Sequence, residues 1–334
     1  MNKNLMIKIV KASVGALLSI LVAELLNLSF VPSAGILTLL TLQNTKKETI
    51  FTALTRVGAF FIAMVYCSIL FHFFGYSNMV FAVFLIFFTF TCYMIGFTDG
   101  ISSSAVLSTH LLTAGDMTGA ILMNEVLLLI VGVGIGIILN LFMPRTKPLV
   151  RKSQKDIDDK IIQLLNHLAN RAIKDEEHQD LTKEFEVVEE DIQKAIDLCV
   201  ENMNNTLFTD TRYYIQYMEM RQDQIISLQK VYDHLSPLDM VPSQAYKVAE
   251  FIRDIAASFQ EYNNVGELIL ELNQLLDGLK DSELPVTREE FESRARLFLV
   301  LNELESFLLI KRKFIKNLSQ KQLKMYWSKD AIDH

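Results

Sequence analysis

The sequence contains few of the residues that build disulfide frameworks, metal centres or nucleophile motifs. It has three cysteines and six histidines among 334 residues. Cys67 and Cys92 lie in apolar runs and Cys199 in a polar segment, without the paired spacing of a disulfide or a metal knuckle, so we expect inert thiols. No Gly-rich phosphate loop or nucleophile motif occurs either. We therefore predict no metal, no cofactor and no enzymatic activity.

Charge divides the chain into two parts. Residues 1–148 carry eight Lys or Arg and five Asp or Glu, whereas residues 149–334 carry 24 and 34. The first part is apolar and net positive. The second part is net acidic and lacks a basic stripe, which excludes a nucleic-acid-binding surface. We predict a transmembrane domain over 1–148 and a cytoplasmic, all-helical domain over 149–334.

The N-terminal part contains four apolar stretches that approach the length of a membrane-spanning helix, about 20 residues. They cover 12–31, 57–74, 79–97 and 120–143. Two shorter apolar runs lie between them, at 34–42 and at 101–112. Each short run follows a polar turn and is too short to cross the bilayer alone as a straight helix.

The distribution of basic residues predicts that both short runs nevertheless cross. Lys and Arg gather on the cytoplasmic side of a membrane, and here they precede the first span, cluster around Lys46 and follow the last span. The Lys46 cluster is cytoplasmic only if 34–42 crosses, and the acidic part is cytoplasmic only if 101–112 crosses as well. We expect six crossings of the plasma membrane, with both termini in the cytoplasm.

The six segments repeat the order long, short and long. Residues 33–38 and 104–109 share the pattern Ser-Ala-x-aliphatic-x-Thr, allowing Ile or Leu at the aliphatic position. An odd number of spans per repeat places two copies in opposite orientations. The pattern is therefore that of a 3+3 inverted repeat with short broken segments, which is typical of transporters.

The polar starts of the short segments form the candidate substrate site. Irregular backbone at membrane depth must be enclosed by protein or line a wet cavity, and helix N-termini attract anions. Helix capping alone also explains the serines, and a basic anchor at the membrane surface also explains Arg56. The candidate substrate-binding residues are Ser33, Gly35, Arg56, Asp99, Ser102, Ser103 and Ser104.

Ionisable residues within apolar segments are costly to bury and are functional candidates for that reason. Asp99 and His110 belong to the second short segment, and we predict that they form a proton relay. A structural hydrogen-bonding role is the alternative. Asp116 lies beside a turn, and Glu125 lies about one and a half helical turns inside the last span. We expect both to reach the outer interface.

The C-terminal part has the periodicity of successive amphipathic helices and no strand-like alternation. The predicted helices cover 150–173, 181–203, 210–235, 243–279 and 288–325. The last one begins with the capping box Thr287-x-x-Glu290. Helices of this length pack as a bundle or as an antiparallel coiled coil.

Several short patterns resemble the bacterial aromatic acid exporter family, which is related to fusaric-acid-resistance transporters and more distantly to plant malate-type anion channels. They are Lys-Ile-Val-Lys-Ala-Ser-Val-Gly-Ala at 8–16, Pro-Ser-Ala-Gly-Ile at 32–36, Thr-Leu-Gln-Asn-Thr-Lys-Lys at 41–47 and Leu-Asn-x-x-Met-Pro at 139–144. The helical part resembles the C-terminal domain of these exporters. The resemblance implies a dimeric, six-span unit that moves aromatic carboxylates or similar organic anions outward.

Our leading hypothesis is a secondary exporter of aromatic or other amphipathic organic anions. A passive anion channel is a close alternative, and a membrane scaffold or sensor whose cytoplasmic helices bind a partner is the competing class. Polar interruptions at membrane depth favour transport, because an anchor has no need of them. The expected partners are the bilayer, a small organic anion and further copies of the chain in a homodimer or higher homo-oligomer.

Overall fold

The computed structural model describes residues 3–142, 146–174, 180–207, 209, 211–238, 240–263 and 265–327. These residues form helices and their connections, with no strand among them, so the predicted all-α class is confirmed for this part of the chain. Arg145, from the basic cluster after the last span, lies outside the described residues. The chain divides into two compact units, one comprising 1–145 with the short segment 204–208, the other 146–203 and 209–334.

The described residues of the first unit form six α-helices in the predicted order of long, short and long, which occurs twice. They are α1 (Lys3–Leu25), α2 (Pro32–Thr41), α3 (Lys46–Phe74), α4 (Asn78–Ile95), α5 (Ile101–Ala114) and α6 (Gly119–Leu141). One 3-10 turn, Thr98–Gly100, leads into α5.

Local sequence signals set several of these helix ends. α2 begins with Pro32 in its first turn, where the fixed φ of proline suits a helix and its missing N–H is not needed. The Thr45 side chain caps α3 by accepting a hydrogen bond from the Glu48 amide. α5 ends at Gly115, whose φ of +62° is a left-handed conformation that glycine adopts without steric strain.

Three helices of the described chain, α3, α4 and α6, are long and apolar enough to cross a bilayer. α1 has 23 residues but carries Lys8, Lys11 and Glu24. α2 and α5 have 10 and 14 residues, which at about 1.5 Å per residue gives about 15 and about 21 Å against about 30 Å of hydrocarbon. Helix length and composition therefore support three spans, and they do not confirm the predicted six.

Each short helix packs between long helices of both halves of the unit. α2 packs against α1 and α6, α5 packs against α4 and α3, and α1 also packs against α6 as α4 does against α3. Exchanging α1, α2 and α3 for α4, α5 and α6 reproduces this set of contacts. Glycines permit the approach: a Cβ at Gly132 of α6 would lie 2.8 Å from the carbonyl oxygen of Ala34 in α2.

The second unit is a bundle whose main contacts join α9 to α12 and α7 to α10. Its helices are α7 (Lys147–Ala172), α8 (Thr182–Asn205), α9 (Arg212–Leu235), α10 (Gln244–Ala257), α11 (Gly266–Lys280), α12 (Arg288–Asn317) and α13 (Gln320–Tyr326). The last residues of α8 belong to the first unit.

Two of the helix predictions for this unit are wrong, because each predicted helix is broken in two. The predicted helix 243–279 divides into α10 and α11, where Asn263 bonds the Ser258 carbonyl and the Val265 amide and Val265 takes a φ of +56°. The predicted helix 288–325 divides into α12 and α13, where Ser319 and Gln322 form a capping box. The predicted cap at Thr287 is confirmed, since its side chain accepts from the Glu290 amide.

The core of the second unit encloses charged side chains as well as apolar ones. Arg221 of α9 is fully buried and its Nε donates to Asp158 of α7 over 2.9 Å. Arg151 of α7 binds Glu261 over 2.8 Å. Lys311 of α12 is also buried, and its Nζ donates to the backbone carbonyl of Gln260.

Candidate functional site

His110 is the centre of a buried polar cluster in the first unit. Its Nε2 lies 3.0 Å from Ser33 Oγ in α2, and its Nδ1 lies 2.7 Å from Glu125 Oε2 in α6. The Glu125 residue has no exposed surface, and His110 is 6% exposed. Three helices thus each contribute one side chain to a hydrogen-bonded chain of serine, histidine and glutamate.

The surroundings of the cluster fix the positions of both titratable groups. The Phe30 ring stacks on the His110 ring with centroids 4.1 Å apart and planes 4° apart. Asn124 donates to Glu125 Oε1 over 3.0 Å and exchanges hydrogen bonds with the backbone of Ser29. Phe30 holds this position with a φ of +57°, a strained conformation for a bulky residue that costs about 1 to 3 kcal/mol.

The cluster can accommodate two protonation states without losing a hydrogen bond. A neutral imidazole that donates from Nδ1 to Glu125 accepts at Nε2 from the Ser33 hydroxyl. A doubly protonated imidazole donates from both nitrogens, and Ser33 Oγ then acts as the acceptor. The serine is suited to both states because a hydroxyl either donates or accepts.

Arg56 of α3 forms a second polar centre. It is 4% exposed, and its Nη2 donates to the carbonyl oxygen of Leu40, near the end of α2, over 2.8 Å. Its Nε and Nη1 are buried and have no hydrogen-bond partner. A buried guanidinium with unpaired N–H groups is energetically unfavourable unless an acceptor reaches it.

Asp99 lies close enough to Arg56 to interact with it electrostatically. It belongs to the 3-10 turn before α5 and is exposed, and its Oδ2 accepts a hydrogen bond from Thr52 of α3 over 3.3 Å. The cluster therefore contains a buried cation and an exposed carboxylate at its edge. Such an arrangement can hold an organic anion that competes with Asp99 for the guanidinium.

The other candidate residues have different surroundings. Gly35 lies against α1, where a Cβ would be 3.1 Å from the carbonyl oxygen of Ala16. Ser103 donates to the Gly100 carbonyl over 3.0 Å, Ser102 is exposed, and no side chain caps the N-terminus of α5. The hydroxyl of Ser104 is buried and has no hydrogen-bond partner.

The structure brings together some of the predicted site residues and separates others. Ser33 joins His110, and Arg56 lies near Asp99. Asp99 and His110 are not partners, because Asp99 lies in the 3-10 turn before α5 and His110 lies in the second half of α5, about 17 Å further along the chain at about 1.5 Å per residue. The partner of His110 is Glu125, which is fully buried in the protein rather than exposed at its surface.

Sequence reasoning did not assign Glu125, Phe30 or the carbonyl of Leu40 to either cluster. Glu125 had a usable signal, since it is a carboxylate within the apolar helix α6. Phe30 and the carbonyl of Leu40 carry no signal in the sequence, because one acts through a ring stack and the other through its backbone. No group of three His, Cys, Asp or Glu side chains suited to a metal ion occurs among the described residues.

Comparisons with known proteins agree over both parts of the chain. Residues 3–143 match "Aromatic acid exporter family member 1", and residues 149–312 match "Putative aromatic acid exporter C-terminal domain". The uncharacterized protein YqjA of Bacillus subtilis (strain 168) is 29% identical over 315 residues, which cover 94% of this chain and 97% of YqjA. A crystal structure of a "putative membrane protein from Clostridium difficile 630" matches with 29% identity and a TM-score of 0.45, over 50% of this chain and 97% of that one. Because the two family matches together span nearly the whole chain, the chain belongs to the aromatic acid exporter family.

Proposed function

We propose that this protein exports aromatic or other amphipathic organic anions across the plasma membrane, and that Arg56 binds the anion. The observation that carries the proposal is the buried guanidinium of Arg56, whose Nε and Nη1 lack acceptors. A carboxylate that reached them would satisfy donors that otherwise lose about 1 to 3 kcal/mol. Family membership supports the same class of cargo.

The packing of the first unit supports six crossings arranged as a 3+3 inverted repeat. The contacts of α2 with α1 and α6, and of α1 with α6, correspond to those of α5 with α4 and α3, and of α4 with α3. The short helices α2 and α5 cross as broken elements enclosed by long helices, which is where transporters of this plan bind substrate. Both termini and the second unit then lie in the cytoplasm, and the exposed apolar faces of α3 and α4 face lipid.

Transport of radiolabelled benzoate, cinnamate and phthalate in proteoliposomes tests the proposal, with protein-free liposomes as the leak control. We expect the protein to exchange labelled acid outside the proteoliposomes for unlabelled acid inside them. Faster exchange when unlabelled acid is present on the opposite side indicates a carrier, whereas a passive channel shows no such stimulation. No flux above the leak with any of these acids would overturn the proposal and favour the scaffold or sensor.

Arg56→Gln tests the assigned binding residue. Loss of a charge-assisted hydrogen bond costs about 1.5 to 3 kcal/mol, so we expect the half-saturating anion concentration to rise about 10- to 100-fold. Lys47→Gln is the matched control, because it removes an exposed positive charge from the same helix. Equal effects of the two substitutions would mean that Arg56 acts only through the general positive potential.

A further inference from the structure

The helix α2 contacts both polar centres of the first unit. Ser33, in its first turn, bonds His110, and the carbonyl of Leu40, near its end, accepts from Arg56. The two contacts are seven residues apart, about 10 Å along a helix that rises about 1.5 Å per residue. A small displacement of this ten-residue helix therefore changes the partners of His110 and of Arg56 together.

We propose that Glu125, His110 and Ser33 form a proton-binding site, and that α2 couples proton binding at this site to anion binding at Arg56. The inference rests on the proposed transport function and adds to it the source of energy and the element that transmits it. Glu125 takes the place that the sequence assigned to Asp99. The site binds and releases one proton, without any covalent step.

The two states of the site differ by one charge and by the direction of one hydrogen bond. In the unloaded state a neutral His110 donates to an ionised Glu125, and the net charge is −1. In the loaded state the pair holds one more proton, either as imidazolium and carboxylate or as imidazole and carboxylic acid, and the net charge is zero. Loading as imidazolium reverses the hydrogen bond to Ser33, so that Oγ changes from donor to acceptor.

Burial separates this site from water. Glu125 has no exposed surface and His110 is nearly enclosed, so a proton reaches or leaves the pair only when the helices that enclose it move. Proton exchange with either side of the membrane is therefore tied to the conformation of these helices.

Among the described residues, no other charged side chain forms a hydrogen bond or an ion pair with Glu125 or His110. Asn124 of α6, Ser33 of α2 and the connection residues Ser29 and Phe30 are its neighbours, and none of these carries a charge. Titratable groups elsewhere on the surrounding elements contact other residues or are exposed. Lys11 forms a hydrogen bond with Asn140, Tyr66 forms one with Thr91, and Cys67 interacts with Ser108. The exposed groups are Glu24, His72 and Asp116. The charge state of the site is therefore set by its own two members.

Two transport modes in the same proteoliposomes separate this inference from the proposed function. Exchange of labelled for unlabelled acid needs no net proton movement, whereas uphill efflux driven by an acidic exterior does. We expect Glu125→Gln, which preserves the size and the hydrogen-bonding capacity but cannot ionise, to reduce gradient-driven efflux at least about tenfold and to leave exchange within about twofold. Glu24→Gln, which removes an exposed carboxylate near the end of α1, is the control and should change neither mode.

The outcomes are distinct. Absence of exchange by the unmodified protein would overturn the proposed function itself. Normal exchange together with undiminished gradient-driven efflux in Glu125→Gln would overturn the proton site alone. Loss of both modes in a folded Glu125→Gln protein would also contradict it, since the site would then serve anion binding or structure.

Substitutions of Ser33 and infrared difference spectroscopy provide a test if the Glu125→Gln protein does not fold. We expect Ser33→Ala to shift the pH dependence of gradient-driven efflux and Ser33→Thr, which retains the hydroxyl, to restore it. In the unmodified protein, infrared difference spectra between about pH 5 and about pH 9 should show proton uptake by a buried imidazole or carboxyl group in this range. An unchanged pH profile in Ser33→Ala, or no proton uptake by a buried group, would refute the proposal.

Discussion

Replacement of Lys311 by methionine should stabilise the protein at neutral pH, although it removes a hydrogen bond. Lys311 is 2% exposed. Burial and then the charge of Arg221 lower the pKa of the Lys311 ammonium from 10.5 to about 7, against the opposing influence of Asp158 and Glu261. Arg221 with Asp158 and Arg151 with Glu261 already balance each other in charge, so a protonated Lys311 adds an unbalanced positive charge to the core.

The magnitude follows from the difference between the two pKa values. A pKa lowered from 10.5 to about 7 corresponds, at about 1.4 kcal/mol per unit, to a destabilisation of up to about 5 kcal/mol at pH 7 and below. Between pH 7 and 10.5 the unfolded chain binds this proton and the folded protein does not, so stability rises with pH across that window. Below pH 7 both states are protonated, and this contribution is constant.

Methionine removes this contribution but leaves the carbonyl of Gln260 without its donor, a loss of about 2 kcal/mol. We therefore expect Lys311→Met to be more stable than the unmodified protein by about 2 to 3 kcal/mol at pH 7. At about pH 9 the remaining destabilisation by Lys311 is about 2 kcal/mol, and the two proteins should be equally stable. The advantage of the variant thus disappears as the pH rises.

Urea unfolding of the full chain in detergent, followed by tryptophan fluorescence, measures this difference. Trp327 is the single tryptophan of the sequence, belongs to the second unit, and donates from Nε1 to the Tyr213 hydroxyl over 3.1 Å, so its emission reports on the packing around it. Lys313→Met on the exposed face of α12 is the control. The reasoning is refuted if Lys311→Met is less stable than the unmodified protein at pH 7, or if the difference between them does not change with pH.

Two further substitutions test the packing of each unit against matched controls. Gly132→Ala should destabilise the first unit by about 1 to 3 kcal/mol, because the new Cβ would clash with α2. Gly134→Ala on the same helix places its Cβ in open space and should be neutral. The fraction of folded protein recovered by size-exclusion chromatography after heating compares the two variants. Asp158→Ala leaves the buried Arg221 without its carboxylate and should cost about 3 to 5 kcal/mol in urea unfolding. Asp191→Ala removes a partly exposed ion pair and should cost about 0 to 1 kcal/mol, so equal losses at the two positions would contradict the assigned role of Arg221.

Local signals in the sequence predicted most of the helices, because their physical cause acts within a few residues. Pro32 begins α2, Thr45 caps α3 and Thr287 caps α12, and apolar length identified α3, α4 and α6. The break between α10 and α11 was missed because Phe259 and Val265 within it are buried. They continue the apolar periodicity of the flanking helices, so hydrophobic pattern alone shows no interruption there.

The two polar clusters show why depth along a span is a poor guide to the partner of a buried charge. The sequence pairs Asp99 with His110 because both belong to the same short segment, but about two and a half turns of α5 separate the turn that carries Asp99 from His110. The sequence places Glu125 near the interface because it lies near the start of α6. Its partner is decided instead by the side of α6 on which it lies, because that side faces His110. α6 is so uniformly apolar that the sequence does not distinguish the face towards protein from the face towards lipid. Only the packing of α5 and α6 with α2 fixes that direction, and for this reason the sequence shows a carboxylate within α6 but not that the fold encloses it completely.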